Sequence, residues 1–323
     1  MKNLNNFITK KNKEINLFTP GPGSLLAENI YGISPCFGRN DKNYKKIEKF
    51  VLNKITKMGG QKKTAAIQGS GSLGIEIMCL NFLKGNITII KTGYYSDRLI
   101  FICKQLKKIG RIKKLETVNW KNLDLINKRT NWILYCPTET SLGLHIPIKE
   151  IWKIARKVKS KLMLDATASF GLEKDHHYAD VLSCSSCKGL FGLTGATFVS
   201  YKIKPNYYKN SFYLNLFNHE NKKMTGPYHT IGSLYYVLKN YNKIKYSVIK
   251  NKKIFLKKMK KYLVFPNNNQ PLLCTRVKKE IKRKNNKVIL YKSRLKITGS
   301  VVNHLGELHL KKSAKGKILD LIY

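Results

Sequence analysis

The chain has 323 residues, 42% of them hydrophobic, with 18 Tyr and 13 Phe; this suits one large domain, a smaller one and a substantial core, and excludes a disordered or fibrous chain. Lys and Arg number 62 against 18 acids, a formal charge of +44; the lysines are spread along the whole chain and read as a diffuse, solvated basic surface, with a polyanion partner as the alternative. No apolar run approaches the ~18 residues of a membrane span, the amino terminus has no apolar signal core, and the scattered, odd set of seven cysteines suits a reducing cytoplasmic compartment better than a disulfide framework.

Residues 1–16 read as a polar lead-in, and the run Thr19-Pro20-Gly21-Pro22-Gly23 as a rigid turn. Residues 44–58 carry apolar side chains at 47, 50, 51, 55 and 58, the period of a helix. A strand at 64–68 then meets Gly69-Ser70-Gly71-Ser72-Leu73-Gly74 and an apolar helix. The hexapeptide fits G-x-G-x-x-G, but a dinucleotide site also wants an acid at the end of the next strand, and the run 87–90 ends in Lys91. One phosphate group fits better: glycines open the backbone N–H groups, serine hydroxyls add donors, and a helix N-terminus favours negative charge. A tight turn without a ligand is the plainer alternative.

Gly93-Tyr94-Tyr95-Ser96-Asp97-Arg98 leads into another helix, and 112–118 reads as a strand. A buried strand at 131–136 is followed by Pro137-Thr138-Glu139-Thr140-Ser141-Leu142-Gly143, a polar run where open α/β sheets place ligand contacts. A helix with proline at its start covers 147–159. The stretch 162–198 holds an apolar run ending on Asp165, a second apolar run at 179–182, and then Lys188 among Gly189, Gly192 and Gly195. An acid closing one buried strand and a lone lysine after the next can converge at one sheet edge and hold the two ends of a planar cofactor. One more strand is expected at 195–201. This alternation predicts a mostly parallel sheet flanked by helices, an α/β fold with its motifs at the carboxyl edge. Farther on, a second turn at 226–230 precedes a long amphipathic helix over 237–262, with room for an interruption. The Pro266–Pro271 loop marks a boundary, and strand-like runs at 287–291 and 294–298 with a final helix suit a small α/β lobe. The expected division is a lead-in over 1–16, a large domain over 17–263 and a small one over 264–323.

Seven motifs stand in order: TPGP at 19–22, QGSGS at 68–72, GYYSDR at 93–98, ETSLG at 139–143, LDATASFG at 164–171, SSCKGLFGLTG at 185–195 and PYHT at 227–230. In these the chain resembles the class V aminotransferases of pyridoxal-phosphate fold type I. The 2-aminoethylphosphonate–pyruvate transaminases are nearest, followed by the alanine/serine–glyoxylate aminotransferases. The resemblance implies a pyridoxal 5'-phosphate enzyme that moves an amino group from a small amine or amino acid to a 2-oxo acid such as pyruvate or glyoxylate, by a ping-pong Schiff-base route. In that reading Lys188 bonds the cofactor aldehyde and moves protons. Asp165 pairs with the ring nitrogen, and Ser70, Gly71 and Ser72 hold the phosphate. Tyr95 stacks on the ring, and Thr140 bonds its phenolic edge. Thr230 reaches the phosphate of a neighbouring subunit, which implies a homodimer with shared sites.

The substrate end departs from the family. Lys296 stands where a carboxylate-binding arginine is expected, and lysine is a point charge where arginine is a fork. Arg294 shares a face with it if 294–298 is a strand; Gly21 and Arg39, at the entrance turn, are further candidates. A lyase or desulfurase on the same fold would need a mobile cysteine, for which Cys274 is the one candidate. A degenerate polyanion-binding member is the third reading. Cys184-Ser185-Ser186-Cys187 has the spacing of half a zinc site, but it lacks a second ligand pair.

Overall fold

The computed structural model describes residues 2–12, 16–34, 38 and 40–309. Its centre is a seven-stranded sheet in the order Lys63–Gln68, Ala196–Tyr201, Val181–Ser185, Lys161–Asp165, Trp132–Tyr135, Gly85–Lys91 and Ile112–Asn119. From Val181–Ser185 outward to Ile112–Asn119 all neighbours pair in parallel. Ala196–Tyr201 runs antiparallel to both of its neighbours. The sheet is therefore mostly parallel, with one reversed strand inside it. Parallel neighbours need a crossover of about a dozen residues or more; residues 186–195 are too few, so the chain turns straight back.

Side chains alternate along a strand, so the same strands feed two cores. Ile133, Tyr135, Leu162, Leu164 and Leu182 pack on one face with Val51 and Ile55 of the helix Lys42–Gly59. Trp132, Leu134, Met163 and Val181 pack on the other, against Met78 of the helix Gly71–Phe82 and Leu99 and Cys103 of the helix Tyr94–Lys108. The helix Lys42–Gly59 starts on Asp41, whose carboxylate accepts from Asn43 N at 2.8 Å and Tyr44 N at 3.2 Å. It stops at Gly60, which adopts the left-handed φ of 60° that glycine takes without strain.

Three expectations need amending. The polar lead-in contains a helix, Lys2–Asn12, anchored by its buried Ile8. The long helix starts earlier than expected, at Tyr228 inside the second turn, and takes its allowed interruption at Asn240, between Tyr228–Lys239 and Tyr241–Met259. The strand expected at 294–298 is an irregular loop, and the strand of that region is Ser300–Asn303, paired antiparallel with Cys274–Val277. The cause is local: Gly299 turns the chain at φ 76°, with its backbone pressed on the Val277 carbonyl where any Cβ would collide. Ser293 Oγ donates to Ser141 O at 2.7 Å and ties this loop down over the sheet edge.

A third, separate core holds Phe18, Phe255, Met259, Val277, Val288 and Val302, so it draws on both sides of the boundary expected at 263/264. Asn16–Phe18 pairs in parallel with Val288–Leu290 there. The final helix expected near the end of the chain falls mostly on 310–323, outside the described residues, as does Arg39. No helix among the described residues is long and apolar enough to cross a membrane.

Candidate active site

Parallel strands end at the same edge. The segments after Gln68, Lys91, Tyr135, Asp165 and Ser185 therefore meet there, around a cavity of about 410 Å³. Its lining includes Gly71, Ser72, Tyr95, Thr140, Asp165, Lys188 and Arg294. Most of the residues picked from the sequence are thus brought together by topology alone.

Asp165 closes its strand and is only 1% exposed. A bare carboxylate there would be costly, and both of its oxygens are engaged. Oδ1 accepts from Thr167 N at 3.1 Å, and Oδ2 pairs with Arg98 Nη2 at 2.9 Å. Lys188 sits on the return loop 186–195, with Nζ 5.6 Å from the centre of the Tyr95 ring. The rigid entrance turn braces this lysine. Gly23 N donates to Cys187 O at 3.2 Å, and Gly21, at φ 140°, lies so close that a Cβ would come 3.1 Å from Lys188 Cγ. Gly21 therefore supports the lysine stem.

The glycine-rich turn behaves as its composition suggests. Ser70 precedes the helix Gly71–Phe82 without capping it through its side chain, so the first turn keeps its polarity for an anion. Gly71 lies against Thr167 and Ser185, where a Cβ would sit 3.1 Å from Thr167 Cγ2. Ser70 itself is exposed and lies outside the cavity lining. Around the cavity, the buried hydroxyls of Thr138 and Thr167 have no hydrogen-bond partner among the described residues. Thr140 Oγ1 is buried beside the Tyr291 hydroxyl without meeting the geometry of a full hydrogen bond.

Thr230 is away from this cavity: its hydroxyl donates to Thr194 O at 3.0 Å. At the substrate end the structure separates the two cations. Arg294 lines the cavity, with its guanidinium donating to Tyr94 OH at 3.0 Å, whereas exposed Lys296 is not in the lining. Since 294–298 is a loop, the two do not share a strand face.

Two residues without an assigned role are central. Arg98 bonds Ser72 Oγ through Nη1 at 2.8 Å and Asp165 through Nη2, and its guanidinium carbon lies 5.0 Å from the Tyr95 ring centre. Burial works against its charge, but Asp165 outweighs that and raises the arginine above its ordinary range. Its helical offset from Tyr94 and Tyr95, four and three residues, is the sequence signal that places it on their face. Glu139 is fully buried; it accepts from Tyr95 N at 2.9 Å and from Ser141 N and Oγ at 3.1 and 2.6 Å. Burial pushes its carboxyl up, and the hydrogen bonds from Ser141 and Tyr95 oppose the shift.

The cysteines are placed against the rival chemistries. Cys274 is buried in the strand Cys274–Val277, and burial pushes its thiol up to about 12, the opposite of a mobile nucleophile. Cys184 is buried in the sheet core, while Cys187 is on the lysine loop with Sγ 3.2 Å from Ser185 Oγ. A second cavity of about 280 Å³, near Tyr44, Glu48 and Tyr228, contains none of the predicted site residues.

Comparisons with known proteins agree with this geometry. Residues 68–208 match the family model described as Aminotransferase class-V. A 2-aminoethylphosphonate–pyruvate transaminase of Pseudomonas aeruginosa is 26% identical over 197 residues, covering 57% of this chain and 53% of that protein. The match thus spans about half the length of that relative. Among solved structures, an aspartate aminotransferase of subgroup IV from Thermus thermophilus superposes with a TM-score of 0.79 at 13% identity, over 94% of this chain and 97% of that one. An alanine–glyoxylate aminotransferase from Nostoc gives 0.77 at 15% identity, over 94% and 95%. The fold is the aminotransferase fold, and the segment 68–208, which carries the glycine-rich turn, Tyr95, Thr140, Asp165 and Lys188, is the part of the chain that matches the class V aminotransferase model.

Proposed function

We propose that this protein is a pyridoxal 5'-phosphate-dependent aminotransferase that passes an amino group from a small, acidic amine or amino acid to a 2-oxo acid such as pyruvate or glyoxylate. One observation carries the reading: a buried carboxylate, Asp165, and an amine, Lys188, line the same cavity, with the Tyr95 ring beside them. The residues present fit the cofactor. The unpartnered Thr138 and Thr167 hydroxyls offer polar contacts, and the Gly71 turn leaves the space a side chain would fill.

When bound, pyridoxal phosphate supplies an aldehyde for the donor's amine and a ring that accepts electron density from the α-carbon. The chain's own residues do the rest. Asp165, shut off from water, holds a proton on the ring nitrogen, and the Thr167 N–H fixes its direction. Lys188, which would hold the cofactor through its amine, would then serve as the base that moves the proton at the substrate α-carbon. Tyr95 limits the ring's tilt, held in turn by its backbone bond to Glu139. The first turn of Gly71–Phe82 and the Ser72 hydroxyl take the phosphate.

Arg294 binds the acidic end of the substrate, and Lys296 stays in solvent. The relative named for 2-aminoethylphosphonate makes a phosphonate-bearing donor the first candidate. A homodimer with shared sites would give Thr230, which lies outside the lining of its own cavity, the phosphate of a second subunit to contact.

A half-reaction screen tests this. Purified holoenzyme is offered 2-aminoethylphosphonate, alanine, serine and neutral ethylamine while cofactor absorbance is followed. Acidic donors are expected to convert the cofactor to its amine form; conversion by ethylamine alone, or by none of them, would contradict the proposal.

A further inference from the structure

The +44 charge, diffuse when read along the sequence, is organised on one helix. In Tyr241–Met259 the buried positions are Tyr241, Ile244, Val248, Asn251, Phe255 and Met259. On the opposite side Lys243, Tyr246, Lys250, Lys253, Lys257 and, just past the end, Lys260 are all exposed. Their spacing alternates three and four residues, so they form one straight row about 26 Å long. No acid occurs anywhere between Glu220 and Glu280, so nothing on the helix offsets the repulsion within this row. Tyr246, inside the row, is 65% exposed. Just past the helix, Lys261 and Lys279 place their amines 5.2 and 5.8 Å from the Tyr262 ring.

A row of cations with an exposed aromatic ring in it matches two features of a single nucleic-acid strand, a phosphate backbone and unstacked bases. An anionic bilayer fits less well. A helix that lies on a membrane buries an apolar face in it, and the apolar face of this helix is already spent on the protein core. We infer that the outer face of Tyr241–Met259 is a binding track for single-stranded nucleic acid, with lysines on phosphates and Tyr246 stacked on a base. This site is separate from the cofactor cavity and does not depend on the transaminase reading.

The test is anisotropy of a fluorescent oligouridylate of about 16 nucleotides, titrated with full-length holoenzyme at stepped salt. The triple variant Lys250→Gln, Lys253→Gln, Lys257→Gln should weaken binding about tenfold or more and reduce the salt slope by about 2, since each phosphate contact on a single strand contributes about 0.7. Tyr246→Ala should weaken binding about fivefold or more without changing the slope. A control triple, Lys149→Gln, Lys153→Gln, Lys157→Gln, removes three exposed lysines from another helix, Ile148–Lys157. It should stay within about twofold of the wild type, since non-specific charge is all it removes. Urea unfolding midpoints should be unchanged in all three, which shows that they fold. Absence of binding at low salt, equal loss in both triples, no effect of Tyr246→Ala, or tighter capture by phosphatidylserine vesicles than by oligouridylate would each overturn the inference.

Discussion

Arg98 joins three parts of the site through one guanidinium: the glycine-rich turn at Ser72, the aromatic ring of Tyr95 and the carboxylate of Asp165. Removing it strands a buried charge, the costly half of breaking an ion pair. Arg98→Met is expected to lower the stability of the cofactor-free protein by about 3 kcal/mol in urea unfolding; a change below about 0.5 kcal/mol, typical of a surface site, would show the pair to be idle. At the rim, Arg294→Met should raise KM for an acidic donor about tenfold or more with kcat little changed, the mark of lost binding. Lys296→Met should leave both within about twofold, and the reverse pattern would return the clamp to Lys296. Asp165 and Lys188 were legible in the sequence because Asp165 closes one buried run and Lys188 follows the next by a few small polar residues. Arg98 is marked only by its spacing from Tyr94 and Tyr95, and Glu139 not at all, because their partners Asp165 and Tyr95 lie 67 and 44 residues away and only the sheet brings them together.

At the scale of elements, helix and strand periods carried most of the information. The helix Lys42–Gly59 was legible from its apolar spacing, and its start is set by the Asp41 cap. Asp41→Ala leaves two N–H groups unsatisfied and should cost about 1 kcal/mol, measurable as a shift of the urea midpoint at constant slope; a shift that Asp41→Asn reproduces in full would point to charge in place of capping. The reversed strand Ala196–Tyr201 has the same local signature as its parallel neighbours, so direction had to come from the length of the preceding loop. The run 294–298 reads as a strand in the sequence because its alternation of polar and apolar residues imitates one. Gly299 and the Ser293–Ser141 bond override that pattern, and with it which cation reaches the cavity.

For the whole molecule, two buried histidines set a pH limit. Burial holds His176 and His304 down to about 3 each, and each bonds a hydroxyl, Ser169 Oγ and Thr275 Oγ1, at 3.0 Å. Unfolded, they titrate near 6.5, so the unfolded chain takes up their protons first. The stability from keeping them neutral is present above pH 6.5 and is lost as pH falls from 6.5 toward 3. Between pH 7.5 and 5.5 the two should together remove about 3 kcal/mol, and a variant with both replaced by Gln should lose less over the same interval. An equal pH dependence in the variant would assign the effect elsewhere.

The central claim is that Lys188 is the residue that holds the cofactor opposite Asp165. Borohydride reduction of the pyridoxal-phosphate-loaded protein, followed by peptide mapping, tests it most directly. One adduct per chain on Lys188, absent from a Lys188→Ala protein that has also lost turnover by a factor of about 10³ or more, is the predicted result. An adduct on another lysine, or a Lys188→Ala protein that keeps full turnover, would contradict it.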